Sequence, residues 1–191
     1  MFRFSPAESE DVERRIAIAF DQPAAFPRIL AAAKGLLSPL PAHFAHDHSR
    51  SQIGCGVNAF HTAKKAFADW KMFDLGWVRV ANPDTRIEPG SIVAVEARTL
   101  GMWTLNLSRI VEFIDLPDTF GFIYATTQFH VELGEERFLI ELGSDTNEVW
   151  FDIEAVSRPA HFAARIGLPV SRAYQHKFAR DSHRRLRELI P

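Results

Sequence analysis

The chain has one cysteine, Cys55, in 191 residues, so no internal disulfide can form, which fits a reducing compartment. No apolar run approaches the roughly 20 residues that cross a bilayer as a helix. The opening "MFRFSPAESEDVERR" lacks the apolar stretch of a secretory signal. These absences predict a cytoplasmic protein with no integral membrane span. An excess of positive charge is missing too: 22 Lys and Arg against 24 Asp and Glu leave a net charge of -2, and no general attraction to nucleic acid follows. There is no phosphate-cradling loop, because "GCG" around Cys55 is too short and lacks a following Lys-Ser or Lys-Thr. There is no G-x-S-x-G elbow either, and the glycines beside Cys55 supply neither base nor positive charge, so Cys55 reads as a packing or turn residue.

What is present suits one substantial core: 47% of residues are hydrophobic and 24% charged. A single domain is expected, with 1–45 as a helical N-terminal extension and 46–191 as the core. Charge is uneven. From Arg158 onward there are eight Lys and Arg against two Asp and Glu, which leaves the preceding residues at -8. A basic tail helix on an acidic body results, read as a solvated face drawn to that body. The alternative is an interaction module in which Arg172, Arg180, Arg184, Arg185 and Arg187 dock on an acidic partner or membrane.

Along the chain, Val12, Ile16 and Ala19 recur at helical spacing, and Pro27 before "RILAAAKG" with Gly35 behind it predicts a second helix. The prolines of "SPLPAHFAHDHS" break the pattern before an extended piece at residues 48–53. Asn58 is the expected N-cap of a helix whose Val57, Phe60, Ala63, Phe67 and Trp70 share a face. Strands are then expected at 77–81, 91–100, 102–114, 120–128, 135–142 and 148–157, with separators rich in turn formers and so short that they imply an antiparallel meander. From Pro159, Phe162, Ile166, Val170, Tyr174 and Phe178 repeat every fourth residue, the stripe of a long amphipathic helix that Pro169 should kink. The expected fold class is α+β: a helix-grip, START-like or Bet v 1-like arrangement of about six or seven antiparallel strands curved around a long C-terminal helix, with an extra N-terminal helical segment. The space between sheet and helix is a natural place for an apolar cavity.

The stretches "FHTAKKAFADWKMFDLGWV", "PGSIVAVEARTLGMWTLNLSRIV", "FGFIYATTQFHVELGEERFLIE", "VWFDIEAVSRP" and "ARIGLPVSRAYQHKFARDS" resemble, in that order, the DUF1990 (UPF0548-like) family of uncharacterised proteins. The resemblance spans residues 46–182, with a weaker echo in the first 20, and implies a START-like fold but no activity. Where the family typically reads Y-G-T-L-P-G-H, this chain has Tyr124 to His130 as "YATTQFH", and Phe129 is expected to fill space at the mouth of any site.

Candidate chemistry is sparse. "HFAHDH" offers His43, His46, Asp47 and His48, but on a strand Asp47 points away from His46 and His48, so a polar segment is preferred to a metal site. In "MWTLNLSRIVEF", Trp103, Leu105, Leu107 and Arg109 share a face opposite Thr104, Asn106 and Ser108. Arg109 in apolar company predicts an ion pair with a neighbouring carboxylate, or else an acidic headgroup in a pocket. Tyr124, Thr126 and Gln128 share one face of the next strand, and the side it takes stays open. His130, Glu132, Glu135 and Glu136 gather near a turn expected at Gly134, where Glu132 and Glu135 can meet across a hairpin; a wet hairpin tip is preferred to acid–base chemistry. Of 16 Phe, 4 Trp and 2 Tyr, most belong to the core, and Trp70, Phe73, Trp77, Trp103, Tyr124 and Trp150 are the aromatics expected along a cavity.

The expected function is binding of a small hydrophobic, lipid- or isoprenoid-like molecule, with cavity candidates Trp70, Trp77, Trp103, Arg109, Tyr124, Thr126, His130, Glu132 and Tyr174. No catalytic residue, metal or cofactor is assigned, and a weak homodimer is admitted. The alternative is an enzyme acting on a hydrophobic substrate, with His130 and Glu132 or Glu135 as acid–base groups and Arg109 as anion holder.

Overall fold

The computed structural model describes residues 2–22, 28–31, 35–36, 39–40, 42–160 and 168–190. In chain order the elements are strand β1 (Phe2–Arg3), helix α1 (Ser9–Phe20), short strands β2 (Leu30–Ala31) and β3 (Gly35–Leu36), strand β4 (Ala45–Cys55) and helix α2 (Val57–Ala68). A 3-10 turn follows at Lys71–Phe73, then strands β5 (Val78–Val80), β6 (Ile92–Thr99), β7 (Met102–Asp115), β8 (Thr119–Thr126), β9 (Glu132–Leu142) and β10 (Glu148–Pro159), and helix α3 (Leu168–Leu189).

The meander β5 to β10 is antiparallel throughout, as the short connections require, and β4 pairs with β10 to give the order β4-β10-β9-β8-β7-β6-β5. The chain crosses from one edge of the sheet to the other through α2 and the 3-10 turn. Strand β1 adds beside the first residues of β7, with Phe2 opposite Thr104 and Arg3 opposite Trp103. Register shifts at Val149/Trp150 and Ile110/Glu112 are bulges, which bend a strand and help the sheet curl. The curled sheet with α3 against its concave face is the helix-grip fold expected from the sequence.

The central strands β8, β9 and β10 are covered on both faces, for different reasons. The concave face carries Phe120, Phe122, Phe138, Ile140, Phe151 and Ile153, which meet Phe60, Ala63 and Phe67 of α2 and Leu186 and Ile190 at the end of α3. Side chains of this size contribute about 1.5–3 kcal/mol each when fully buried. Gly54 of β4 lets the three elements close, since a Cβ there would lie 2.7 Å from Ile190 Cγ2 and 2.9 Å from the Ala59 Cβ. On the convex face, Val12 and Ala19 of α1 cover Ile92, Ala94, Leu105 and Leu107, while Ile29 and Leu30 cover Ile123 and Val156. The Val12, Ile16, Ala19 stripe is thus used on the side of the sheet away from α3.

Several local expectations are corrected. Leu30–Ala31 and Gly35–Leu36 pair as strands rather than continuing a helix after Pro27, and the rest of that segment lies outside the described residues. Helix α2 starts after Gly56, whose φ of 86° is the left-handed conformation glycine favours, and Asn58 is not its cap. The hairpin between β8 and β9 turns at residues 127–131, not at Gly134. Strand β10 extends to Pro159 and α3 begins at Leu168, so Pro169 sits in the first turn, where a missing N–H costs nothing, and does not kink the helix. Of the expected stripe, Phe162, Ile166 and the side chain of Val170 lie outside the described residues.

Candidate functional site

Successive inward positions shrink or become polar in the same direction along four strands. Strand β8 reads Phe120, Phe122, Tyr124, Thr126; β9 reads Ile140, Phe138, Glu136, Gly134; β10 reads Phe151, Ile153, Ala155, Ser157; β4 reads Ile53, Ser51, Ser49, Asp47. Pairing aligns these into rows. Phe122 is opposite Phe138 and Phe138 opposite Ile153, whereas one row on, Tyr124 is opposite Glu136, Glu136 opposite Ala155, and Ala155 opposite Asp47. The bulky rows fill the groove beneath α2. The small and polar rows leave a cavity of about 690 Å³ beneath α3, within the size range of small-molecule sites.

The cavity wall is mainly apolar: Phe73, Trp77, Val78, Val95, Ala97, Leu100, Met102, Ile153, Ala155, Phe178 and Ala179. Trp77 is fixed there by its indole N–H, which donates to Asp181 Oδ2 at 3.0 Å, and by edge contact with Tyr174, ring centroids 5.5 Å apart. The Leu100 backbone N–H donates to the Tyr174 hydroxyl at 3.2 Å, which joins the tip of the β6–β7 hairpin to α3.

Polar groups collect at the other end. The Tyr124 hydroxyl donates to Glu136 Oε2 at 2.5 Å. Burial pushes the Glu136 carboxyl up to about 7, the neighbouring Glu132 and Asp47 charges add to the rise, and the Tyr124 hydrogen bond opposes it. Burial and the Glu136 charge likewise hold the Tyr124 phenol well above its ordinary range. Glu132 Oε2 accepts from Ser157 Oγ at 2.7 Å and from Gln175 Nε2 at 2.6 Å. The Glu132 backbone N–H donates to His130 Nδ1 at 3.0 Å, and burial lowers the imidazole's affinity for a second proton against the opposing pull of the Glu132 carboxylate. Asp47 meets Arg172 of α3 at 2.9 Å and His176 at 3.4 Å. Among the described residues no group of three or more His, Cys, Asp or Glu is arranged to hold a metal ion. His46 and His48 instead face outward to Glu154 and Asp152, at 2.8 and 2.7 Å.

Of the nine cavity candidates, the structure brings six to the cavity wall: Trp77, Tyr124, Thr126, His130, Glu132 and Tyr174. Three lie elsewhere. Trp70 is sealed in the filled end, 2% exposed, with its indole N–H on the Thr85 carbonyl. Trp103 faces outward beside Arg79, whose guanidinium lies 5.8 Å from its ring. Arg109 is on the convex face, where it donates to the carbonyls of Ala19, Phe20 and Gln22 at the end of α1. Neither a carboxylate partner nor an acidic headgroup explains it: the negative end of a helix and its terminal carbonyls take the charge. Trp150, also expected along the cavity, stacks outside with Arg50.

The hairpin cluster is rearranged as well. Glu132 and Glu135 sit on opposite faces of β9 rather than across a hairpin. Glu135 accepts from the backbone N–H groups of Ile29 and Leu30, at 2.8 and 2.7 Å, on the convex side. Nor does Phe129 occupy the mouth, because it packs outward with the α1 cluster, 5.3 Å from the Arg15 guanidinium. Asp47, Glu136, Ala155 and Gln175 also line the cavity, though none is among the nine candidates. The signal that finds them is the cross-strand row through Tyr124, visible only once the register is known.

A curled antiparallel sheet gripping a C-terminal helix over a half-empty groove defines a START-like, helix-grip protein. Within that class the chain belongs to the DUF1990 family, a domain of unknown function whose model matches residues 30–185. It is 34% identical to a UPF0548 protein of Dictyostelium discoideum over 157 residues, 76% of this chain and 73% of that one. It is also 34% identical to a UPF0548 protein of Arabidopsis thaliana over 146 residues, covering 73% and 70%. Among solved structures, a hypothetical protein from Helicobacter pylori is similar with a TM-score of 0.51 at 12% identity, over 85% of this chain and 97% of that one. The major latex-like protein 151 of Panax ginseng is similar with a TM-score of 0.50 at 13% identity, over 78% and 100%. These last two likenesses establish fold alone. Among the described residues no helix is long and apolar enough to cross a membrane.

Proposed function

We propose that the protein binds a small hydrophobic molecule in the cavity between the sheet and α3. The observation that carries this reading is the 690 Å³ space itself, walled by aliphatic and aromatic side chains and supplied with polar groups at one end. A chain under pressure only for stability gains by filling such a space, since each buried methylene contributes about 0.8 kcal/mol. Native mass spectrometry of the protein purified without detergent tests it. A co-purifying small molecule, lost when Ala155→Leu and Ala97→Leu narrow the cavity, is the expected result. A protein that arrives empty and takes up no apolar probe would end the proposal.

One observation favours an enzymatic reading beside it. Glu136, near 7 and in contact with the Tyr124 hydroxyl, is a carboxyl able to take or give a proton at neutral pH inside an apolar space. That reading moves the acid–base role from the His130 and Glu132 pair to Glu136 and Tyr124. Turnover of a bound substrate abolished by Glu136→Gln, with binding retained, is its test. The interaction reading of the basic helix draws less support, because Arg172, Arg184 and Arg185 pair with Asp47, Asp181 and Asp74 of the same chain.

A further inference from the structure

The permanent charge on the described cavity wall is negative, with the imidazoles of His130 and His176, the latter 3.4 Å from Asp47, beside it. Asp47, Glu132, Glu135 and Glu136 contribute to its wall, and among the described residues no Lys or Arg does. Glu135 turns its carboxylate to the convex face, onto the Ile29 and Leu30 N–H groups. The other three carboxylates belong to the polar end. Asp47 and Glu136 stand in one cross-strand row with Ala155 between them, so two acids two strands apart, roughly 10 Å, flank the smallest side chain of that row. Glu132 lies two inward positions further along β9, beyond Gly134, and its Oε2 is held in place by Ser157 and Gln175. Asp47 is offset by Arg172, which reaches it from α3 without lining the cavity. Such an end, with no Lys or Arg among its described lining residues, disfavours a carboxylate or phosphate headgroup and favours a cation. The opposite end, with Trp77, Val95, Met102 and Phe178, is mainly apolar and carries only the uncharged Thr99, Thr104 and Asn106 as polar side chains among the described residues.

Resting on the cavity-binding reading above, we infer that the ligand is an amphiphile with a basic nitrogen at its head. The ammonium sits over Ala155 between Asp47 and Glu136, and the hydrocarbon lies toward Trp77 and Met102. Glu136 and Asp47 are the groups that select it, by charge.

The test uses three probes of equal chain length, dodecylamine, dodecanol and dodecanoate, below their micellar concentrations, with binding to the full chain followed by calorimetry. The expected order is amine, then alcohol, then acid. Glu136→Gln is expected to weaken dodecylamine about tenfold, the loss of one charge contact, and to leave dodecanol unchanged. Dodecanol or dodecanoate binding as tightly as dodecylamine overturns the headgroup assignment while the cavity reading stands. Dodecylamine binding that is unaltered by both Glu136→Gln and Asp47→Asn overturns it as well, because the amine is then held elsewhere. If none of the three probes binds, the cavity reading falls and this inference with it.

Discussion

The two ends of the groove beneath the helices are built on the same strands, yet one is solid and the other hollow. At the filled end Phe67 meets Phe120, Phe122 and Phe151, with ring centroids 5.2–6.3 Å apart, and Phe122 stacks on Phe138 at 5.1 Å. Two positions further along each strand the inward side chains become Tyr124, Glu136, Ala155 and Asp47, and the packing stops. The β8–β9 and β9–β10 pairings run through both halves in one unbroken register, so side-chain volume and polarity set the difference. A curled sheet under a helix supplies a groove; whether it becomes core or cavity is decided row by row.

The largest expected consequence of that difference is in stability. Phe138→Ala removes a fully buried ring that touches Phe73, Phe122 and Tyr124, and should cost about 3–5 kcal/mol in urea denaturation. An equally costly truncation at the hollow end would erase the contrast between the two ends.

The second expected effect concerns pH, where the two ends carry slopes of opposite sign. Glu136 titrates near 7 in the folded chain against an ordinary 4.5, so between those values the folded state holds a proton that the unfolded state has released. Stability from this group is therefore greatest below about 4.5 and declines as pH rises through 7, by up to roughly 3 kcal/mol. The groups facing it, Tyr124, Glu132 and the Arg172-paired Asp47, include no cation in contact with its carboxylate among the described residues. Glu136→Gln should raise the melting temperature at pH 8 and leave it almost unchanged near pH 4. His183, at the filled end, is bonded on both ring nitrogens to Ser49 and Ser51, and burial lowers it to about 4. The unfolded chain takes up a proton below 6.5 that the folded chain refuses, so stability is lost as pH falls from there through about 4. His183→Asn should flatten that acid limb without touching the one at pH 8.

Filling the hollow end should have a smaller effect on stability. Ala155→Leu places methyl groups in empty space and is expected to change stability by less than about 1 kcal/mol, while abolishing uptake of an apolar probe. A loss as large as that of Phe138→Ala would mean that the space is already committed to packing.

The sheet and the gripping helix are legible because they rest on periodicity: alternation over 102–114 and 120–128, and a four-residue stripe that ends on Tyr174 and Phe178. The site was half legible. Alternation separates Tyr124 and Thr126 from Ile123 and Ala125 but does not say which pair the helix covers, and only the packing of Phe122 and Phe138 against Phe67, Phe73 and Phe178 decides it. Arg109 was grouped correctly with Leu105 and Leu107, yet its partner is the carbonyl end of α1, which no residue type announces. Helical signals at Pro27 and Gly35 were local, and the pairing of Leu30 with Leu36 against the convex face overrode them.

The smallest expected effect is at the mouth, a feature that the filled end lacks. Leu100 takes a left-handed φ of 51°, is 69% exposed, and lines the cavity beside Tyr174. Its N–H donates to the Tyr174 hydroxyl, the hydrogen bond that ties the β6–β7 hairpin tip to α3. Tyr174→Phe keeps the ring against Trp77 and removes only that hydroxyl, so the cost to stability should be about 0.5–1 kcal/mol. Exchange of the Leu100 amide should nevertheless quicken, and probe entry and release should both accelerate with little change in their ratio. Unchanged exchange and unchanged rates would show that the hairpin tip is held by its own turn, with the ligand entering elsewhere along α3.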